Sequence, residues 1–257
     1  MNLILAKKEF EKYVNKYDLN DWNLDRKLNH TFRVVKISRD IAIELGLSEE
    51  KIKIAEFIGL FHDIARFKQY TEYGTFNDNK SFDHGNYSAM ILEENNYLNE
   101  FTSNEKYKKI IKNAIINHNK YKIDDTLSEE EKIFSKIIRD ADKVDIIYQA
   151  SEKLNINAED EEEIKKSYID DETMKQIREN KQILRGKESN KLKQILTQVA
   201  FIFDINNIYC LKLIKNKDYI NKILNYILTE DENRKKQIEE IRNISSNYIN
   251  SKINKES

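Results

Sequence analysis

The stretch FIGLFHDIAR, residues 57–66, sets two polar side chains, His62 and Asp63, inside an otherwise apolar run. A segment that is apolar on every side is normally buried. Burying an imidazole and a carboxylate costs free energy unless hydrogen bonds or a metal ion compensate for the lost water. The stretch therefore predicts either a pair that satisfies itself through local hydrogen bonds or a pair that binds a metal ion.

The composition around this stretch favours an all-α fold. The 257 residues include no proline and only five glycines, so residues that break helices and residues that form the turns between strands are both scarce. Hydrophobic residues make up 39% of the chain, which is enough for a core and fits one large domain or a core with an extension.

Helical periodicity and capping residues predict where the helices lie. Residues 21–29 are predicted to be a polar connection and residues 71–83 a loop, because both stretches are polar and the second is rich in Gly, Asn, Asp, Ser and Thr. Asp83 is expected to cap the helix that follows this loop. The predicted helices span about residues 1–20, 30–45, 48–69, 84–94, 105–117, 129–153, 161–181, 188–214 and 217–228.

Charge and cysteine content narrow the expected partners and location. The 44 Lys and Arg residues balance 45 Asp and Glu residues, so long nucleic acid and anionic membranes are not the expected partners. The one cysteine, Cys210, excludes an intrachain disulfide and fits a reducing cytoplasm. Since we find no signal peptide and no run of about eighteen apolar residues, we expect a cytoplasmic protein without a membrane span.

The histidines stand out because there are only four, each with polar neighbours at or inside a predicted helix. A single histidine on an apolar face is more often a core residue than a ligand. Four on separate predicted helices, followed by an aspartate cluster, favour a metal site, and imidazole with carboxylate suits a transition metal better than magnesium or calcium. The segments concerned are NHTFRV with His30, LFHDIAR with His62, DHGNYSA with His84, INHNK with His118 and RDADKVD with Asp140 and Asp142.

This ordered set resembles the HD superfamily of metal-dependent phosphohydrolases, which is named for the adjacent His-Asp pair. HTFRV resembles the first motif of the family, LFHDIAR the second, DHGNYSA the third and RDADKVD the last, over about residues 25–150. The resemblance implies an all-α HD-domain helical bundle. We predict an HD metal-binding catalytic core over residues 1–155 and a C-terminal helical extension over residues 156–257 that packs on the core or caps it.

The resemblance also implies a binuclear metal centre, because His84 and His118 are present in addition to the four ligands of the simpler, mononuclear members. It implies two divalent transition-metal ions, such as manganese, iron, cobalt, nickel or zinc. In this assignment one ion is held by His30, His62 and Asp142, the second is held by His84 and His118, and Asp63 bridges the two. The last ligand of the family is typically the aspartate of an Ala-Asp pair before a basic residue, which favours Asp142 and leaves Asp140 as the alternative.

Two basic residues are candidates for contact with a phosphate. Arg66 lies three positions after Asp63 on nearly the same helix face, where a guanidinium could bind a phosphate oxygen. An ion pair at the helix end is the alternative for Arg66. Lys143 directly follows Asp142 and could reach a phosphate at the rim of the site.

By this resemblance the predicted function is metal-dependent hydrolysis of a phosphomonoester or phosphodiester in a nucleotide-like small molecule, with a metal-bridging hydroxide as the nucleophile. The subgroup that cleaves cyclic di-GMP carries a Gly-Tyr-Pro signature, which a chain without proline cannot have. Two alternatives stay open: a di-iron oxygenase on the same fold, and a metal-stabilised nucleotide-binding protein without turnover.

Overall fold

The computed structural model describes residues 2–153, 156–184 and 190–255, and helices dominate these ranges. They contain no β-strand, which confirms the all-α prediction. Short 3-10 segments lie at Asp78–Lys80 and Phe201–Asp204. The α-helices are α1 (Leu3–Val14), α2 (Trp22–Glu44), α3 (Glu49–Phe61), α4 (Ala65–Tyr73), α5 (His84–Glu94), α6 (Tyr97–Phe101), α7 (Glu105–Asn117), α8 (Glu129–Ser151), α9 (Ala158–Lys166), α10 (Asp171–Arg178), α11 (Lys191–Ala200), α12 (Ile208–Asn216), α13 (Tyr219–Asn225) and α14 (Glu232–Lys255).

The chain divides into two compact units, Met1–Asp142 and Lys143–Ser257. Helix α8 contributes residues to both. The predicted boundary at residue 155 and the predicted packing of the extension on the core stay predictions. Within the described ranges, no helix combines the length and the apolar character that crossing a membrane requires.

The start of helix α2 differs from the prediction. The polar connection expected over residues 21–29 is wrong, because α2 already begins at Trp22. The Asp21 carboxylate accepts hydrogen bonds from the backbone N–H groups of Asn23 (2.7 Å) and Leu24 (3.3 Å), and a cap of this kind stabilises a helix start even in polar sequence. As a result, Lys27 lies on α2 instead of in a connection.

The helix predicted over residues 48–69 is interrupted at the His-Asp pair, so that α3 ends at Phe61 and α4 begins at Ala65. The imidazole Nδ1 of His62 bonds to the Gly59 carbonyl at 2.8 Å, the acceptor that a continuing α-helix would offer to the N–H of Asp63. Consecutive residues of an α-helix point about 100° apart. The turn between the two helices instead allows His62 and Asp63 to face the same point.

Aromatic packing fixes the end of α3 within the first unit. The Phe61 ring meets the Phe10 ring edge-on with centroids 5.8 Å apart, and Phe57 meets Phe101 at 5.0 Å. On the other side of α3, a Cβ at Gly59 would lie 3.0 Å from the Cα of Val35, so only glycine allows α2 this close. This packing therefore fixes α2, which carries His30, against the end of α3, which His62 directly follows.

In the second unit, the helix predicted over residues 161–181 is two helices, α9 and α10, separated by residues 167–170. The buried guanidinium of Arg234 donates to the carbonyls of Ile164 (2.9 Å), Lys165 (2.8 Å) and Ser167 at the C-terminal end of α9. The last carbonyls of a helix lack the backbone partners of its interior, and a cation beside them also interacts favourably with the helix dipole. The helix predicted over residues 188–214 is divided as well, into α11, the 3-10 segment Phe201–Asp204 and α12, while the stretch predicted over 217–228 forms α13. Residues 188 and 189 lie outside the described residues.

Candidate metal centre

The two carboxylate oxygens of Asp63 face two different pairs of imidazoles. Oδ2 lies 3.4 Å from the Nε2 of His30 and 3.1 Å from the Nε2 of His62. Oδ1 lies 3.4 Å from the Nε2 of His84 and 3.6 Å from the Nε2 of His118. Asp63 is only 2% exposed, so this carboxylate is buried between four rings.

Two groups of side chains are placed closely enough to hold a metal ion, and Asp63 belongs to both. In each group the ligand atoms lie within 4.8 Å of one another. One group is His30, His62, Asp63 and Asp142, and the other is Asp63, His84 and His118. The structure thus brings together all six side chains that the sequence predicts as ligands.

Of the two candidates for the last ligand, the structure brings Asp142 to the site. Its Oδ1 lies 3.2 Å from the Nε2 of His30 and 3.9 Å from the Nε2 of His62. Asp140 is fully buried but belongs to neither ligand group found among the described residues. Burial alone would raise the pKa of Asp142, but the hydrogen bond with His30 and the nearby imidazoles hold this pKa far below its ordinary value.

Helix ends position three of the six candidate ligands. His62 directly follows α3, His84 is the first residue of α5 and His118 directly follows α7. His30 and Asp142 lie within the long helices α2 and α8. The prediction that Asp83 caps α5 is confirmed, since its Oδ1 accepts from the Asn86 N–H at 3.0 Å, and this cap fixes the helix start that presents His84.

The hydrogen bonds of the imidazole rings determine which nitrogen faces Asp63. The Nδ1 of His62 lies 2.8 Å from the Gly59 carbonyl, and the Nδ1 of His118 lies 2.6 Å from the Ile115 carbonyl. A carbonyl oxygen only accepts, so each Nδ1 carries a proton, and a ring protonated only there presents the lone pair of Nε2 to the site. This is the form in which histidine binds a metal.

Burial keeps two of these rings neutral. It lowers the pKa of His62, which is fully enclosed. Burial, with the charge of Arg66 as the next contribution, lowers the pKa of His84 to about 4. At neutral pH both rings are therefore unprotonated at Nε2 and ready to bind a cation.

The donor atoms fit a divalent transition metal. The Nε2 atoms of His84 and His118 lie 3.0 Å apart, and both would present lone pairs, which repel unless a cation lies between them. Two nitrogens bound to one ion at about 2.1 Å and at right angles would be separated by about 3 Å. In addition, the buried atoms His62 Nε2 and Asp63 Oδ1 have no hydrogen-bond partner among the described residues, a state that is costly without a ligand.

Lys27 is a site residue that the sequence analysis missed. Its ammonium forms an ion pair with Asp63 Oδ2, while the Nε of Arg66 lies 3.4 Å from Asp63 Oδ1. Burial alone would raise the pKa of Asp63, but the charge of Lys27 and the adjacent imidazoles hold it well below its ordinary value. Asp21 as an N-cap was the available signal, because a helix that begins there places Lys27 three positions before His30 on the same face.

Arg66, one of the two predicted phosphate contacts, is already engaged. Its Nη1 donates to Gln69 Oε1 (2.5 Å), to the Phe76 carbonyl (2.6 Å) and to Asp78 Oδ1 (2.8 Å). Its side chain is 15% exposed. Arg66 therefore forms ion pairs, as the alternative interpretation expected, and its contact with a phosphate stays a prediction.

Lys143, the other predicted phosphate contact, lies in the second unit and is 7% exposed. Its Nζ lies 2.8 Å from Asp204 Oδ2 and 5.6 Å from the centroid of the Phe201 ring. A phosphate would have to compete with that carboxylate for the ammonium, so this role also stays a prediction.

Comparison with known proteins gives a family match for one part of the chain. Residues 28–147 match the family model described as HD domain, and this range contains every residue of the two ligand groups. No curated protein and no solved structure matches the chain. The HD domain points to the superfamily of metal-dependent phosphohydrolases, as the four sequence motifs indicated. The match to the HD domain thus covers slightly less than half of the chain, and over this range the chain is similar to HD-domain proteins.

Proposed function

We propose that the protein hydrolyses a phosphomonoester or phosphodiester of a nucleotide-like small molecule at a binuclear metal centre. The observation that supports this most directly is the position of Asp63, whose two oxygens belong to both ligand groups. In this assignment His30, His62 and Asp142 hold one ion, His84 and His118 hold the other, and Asp63 contacts both. When bound, two divalent ions would polarise a phosphoryl oxygen and lower the pKa of a water molecule.

The charge balance of the site supports an anionic substrate. Three carboxylates, those of Asp63, Asp78 and Asp142, and two cations, Lys27 and Arg66, give a formal charge of −3 + 2 = −1. Two divalent ions would change this to −1 + 4 = +3. A buried site with that charge favours a phosphoester and the additional negative charge of its transition state.

The protein's own backbone and side-chain groups would orient this centre rather than supply the nucleophile. The carbonyls of Gly59 and Ile115 fix the rings of His62 and His118 with Nε2 toward Asp63. Arg66 stays the first proposed phosphate contact, since its Nε faces Asp63 Oδ1 at 3.4 Å. It would bind phosphate by giving up one of its present acceptors.

Metal content tests the assignment of the ligands. We expect two ions per chain after purification without chelator and incubation with Mn²⁺, and a loss of bound metal in Asp63→Ala. Asp142→Ala and Asp140→Ala form a matched pair two positions apart on α8, of which only the first removes a member of a ligand group. Metal loss only in Asp140→Ala would reverse the choice of the last ligand, and a wild type that stays empty would refute the metal centre.

Hydrolysis is separated from the alternatives by a second experiment. We expect the Mn²⁺-loaded protein to hydrolyse aryl phosphate esters without oxygen and to release phosphate from some members of a nucleotide panel. Asp63→Ala, which should lose the ions, is the control for contaminating phosphatases. Activity that requires reduced iron and oxygen would overturn the proposal in favour of an oxygenase, and tight nucleotide binding without any turnover would overturn it in favour of a sensor.

A further inference from the structure

The three imidazoles around Asp63 whose Nδ1 contacts are known are anchored in two different ways. The rings of His62 and His118 bond to carbonyls three residues earlier, at the ends of the helices they follow. The Nδ1 of His84 instead donates to Asp78 Oδ2 at 2.6 Å. His84 therefore depends on a side chain from the segment before its own helix, whereas the other two depend only on local backbone.

Asp78 is itself held by helix α4. Its Oδ1 accepts from Arg66 Nη1 at 2.8 Å and from Gln69 Nε2 at 3.0 Å. Its Oδ2 accepts from Asn119 Nδ2 at 3.3 Å in addition to the bond from His84. Both oxygens of this carboxylate are thus saturated by donors from three separate parts of the chain.

The segment that carries Asp78 is fastened to the same helix. Gln69 is fully buried, and its Nε2 also donates to Ser81 Oγ (2.7 Å) and to the Phe82 carbonyl (3.1 Å). Arg66 Nη1 donates to the Phe76 carbonyl at 2.6 Å. Two side chains of α4 therefore fix the position of Asp78 from both ends of its segment.

We propose that Asp78 is a positioning residue for one of the two ions only: it aims the Nε2 of His84 at the position between His84, His118 and Asp63, and the Arg66–Gln69 pair fixes Asp78 in turn. This presupposes the binuclear centre proposed above. A carboxylate that accepts from the far nitrogen of a metal-binding imidazole fixes the orientation of the ring and raises its basicity. The other ligand group, with His30, His62 and Asp142, receives no contact from Asp78 among the described residues. Loss of Asp78 is therefore expected to convert a two-ion protein into a one-ion protein.

Calorimetric titration with Mn²⁺ on wild type and Asp78→Ala tests this. We expect the first ion to bind with unchanged affinity and the second to bind about 10–100-fold more weakly, the usual consequence of removing such a partner. Electron paramagnetic resonance at two equivalents of Mn²⁺ gives an independent readout, since coupled ions in the wild type should be replaced by the signal of an isolated ion. Asp78→Asn keeps an acceptor oxygen and should show a smaller loss, which serves as the conservative comparison.

Asn77→Ala is the matched control. Asn77 precedes Asp78 by one residue and caps the same segment through the Asn79 N–H at 3.0 Å, but no hydrogen bond between the Asn77 side chain and the His84 ring is found among the described residues. We expect Asn77→Ala to destabilise this turn and to keep both ions. Equal loss of the second ion in both alanine variants would overturn the role of Asp78, because general disturbance of the segment would then explain it.

The failures are distinguishable. A wild type that binds fewer than two ions refutes the binuclear centre itself, whatever Asp78 does. A wild type that binds two ions while Asp78→Ala binds the second one equally tightly refutes only the positioning role. If Asp78→Ala does not fold, Asp78→Asn decides: unchanged affinity and an unchanged coupled signal would contradict the inference.

Discussion

Replacing Lys27 with methionine should destabilise the metal-free protein and strengthen metal binding. The Lys27 side chain is 16% exposed and pairs directly with the Asp63 carboxylate, which is 3% exposed. Methionine keeps an unbranched, flexible side chain but removes the charge. The substitution therefore leaves a buried carboxylate with less compensation and with little change in packing.

The size of the effect follows from the burial. Removing one partner of a buried ion pair costs about 3–5 kcal/mol, and the nearby guanidinium of Arg66 places this case at about 3 kcal/mol. For a chain of this size that lowers the melting temperature of the chelated protein by roughly 6–12 °C. When divalent ions neutralise Asp63, the same substitution should cost little. The substitution then costs about 3 kcal/mol more in the metal-free protein than in the metal-bound protein, so metal binding should be about 100-fold tighter.

Thermal unfolding in chelator and in saturating Mn²⁺, together with calorimetric metal titration, measures both effects. Lys112→Met is the control, because Lys112 pairs with Glu93 at 2.6 Å on the exposed surface, where such a pair contributes about 0–1 kcal/mol. A Lys27→Met protein as stable as wild type in chelator would refute the reasoning. Weakened metal binding would refute it as well and would show that Lys27 supports the centre instead of competing with the ions.

Three further substitutions test other parts of the structure. Gly59→Ala places a Cβ 3.0 Å from the Cα of Val35 and should destabilise by about 1–3 kcal/mol in denaturant titration, with α2 displaced from α3. Burial would raise the pKa of Glu131, but hydrogen bonds from Ser128 help to lower this pKa to about 2. Between about pH 4.5 and pH 2 the unfolded chain therefore binds more protons than the folded protein, and the free energy of unfolding falls as the pH drops. Denaturant titrations across this window should show a flatter decline in Glu131→Gln. Arg234→Met leaves the carbonyls at the end of α9 without their donor and should cost about 2–4 kcal/mol in the unfolding of residues 143–257, while the metal content stays unchanged.

The metal-ligand candidates were predictable because histidine is rare in this chain. With four histidines and one adjacent His-Asp pair, residue type and order alone select the side chains that the structure brings together. Lys27 and Asp78 were not selected, because lysine and aspartate are abundant and each lies in a stretch predicted to be a connection or loop. What distinguishes them is a contact with Asp63 or His84, which only the folded chain shows.

Two of the errors in helix prediction, at residues 48–69 and 161–181, share a physical cause. At His62 a side-chain donor takes the Gly59 carbonyl that helical periodicity assigns to the backbone. At the end of α9, Arg234 takes carbonyls some seventy positions earlier in the chain. Periodicity and local capping describe neighbours within one turn or two. They therefore do not predict that a backbone carbonyl accepts a hydrogen bond from an imidazole ring or from a guanidinium that is distant in sequence.

Because all four histidines lie in the two ligand groups, the protein contains a built-in spectroscopic label. Selective ¹⁵N labelling of histidine would give an NMR spectrum of this centre alone, without background from the rest of the chain. The Nδ1 protons of His62, His84 and His118 are bonded to acceptors inside the protein and should exchange slowly with water. Filling of each ion position could then be followed ring by ring before any substrate is known.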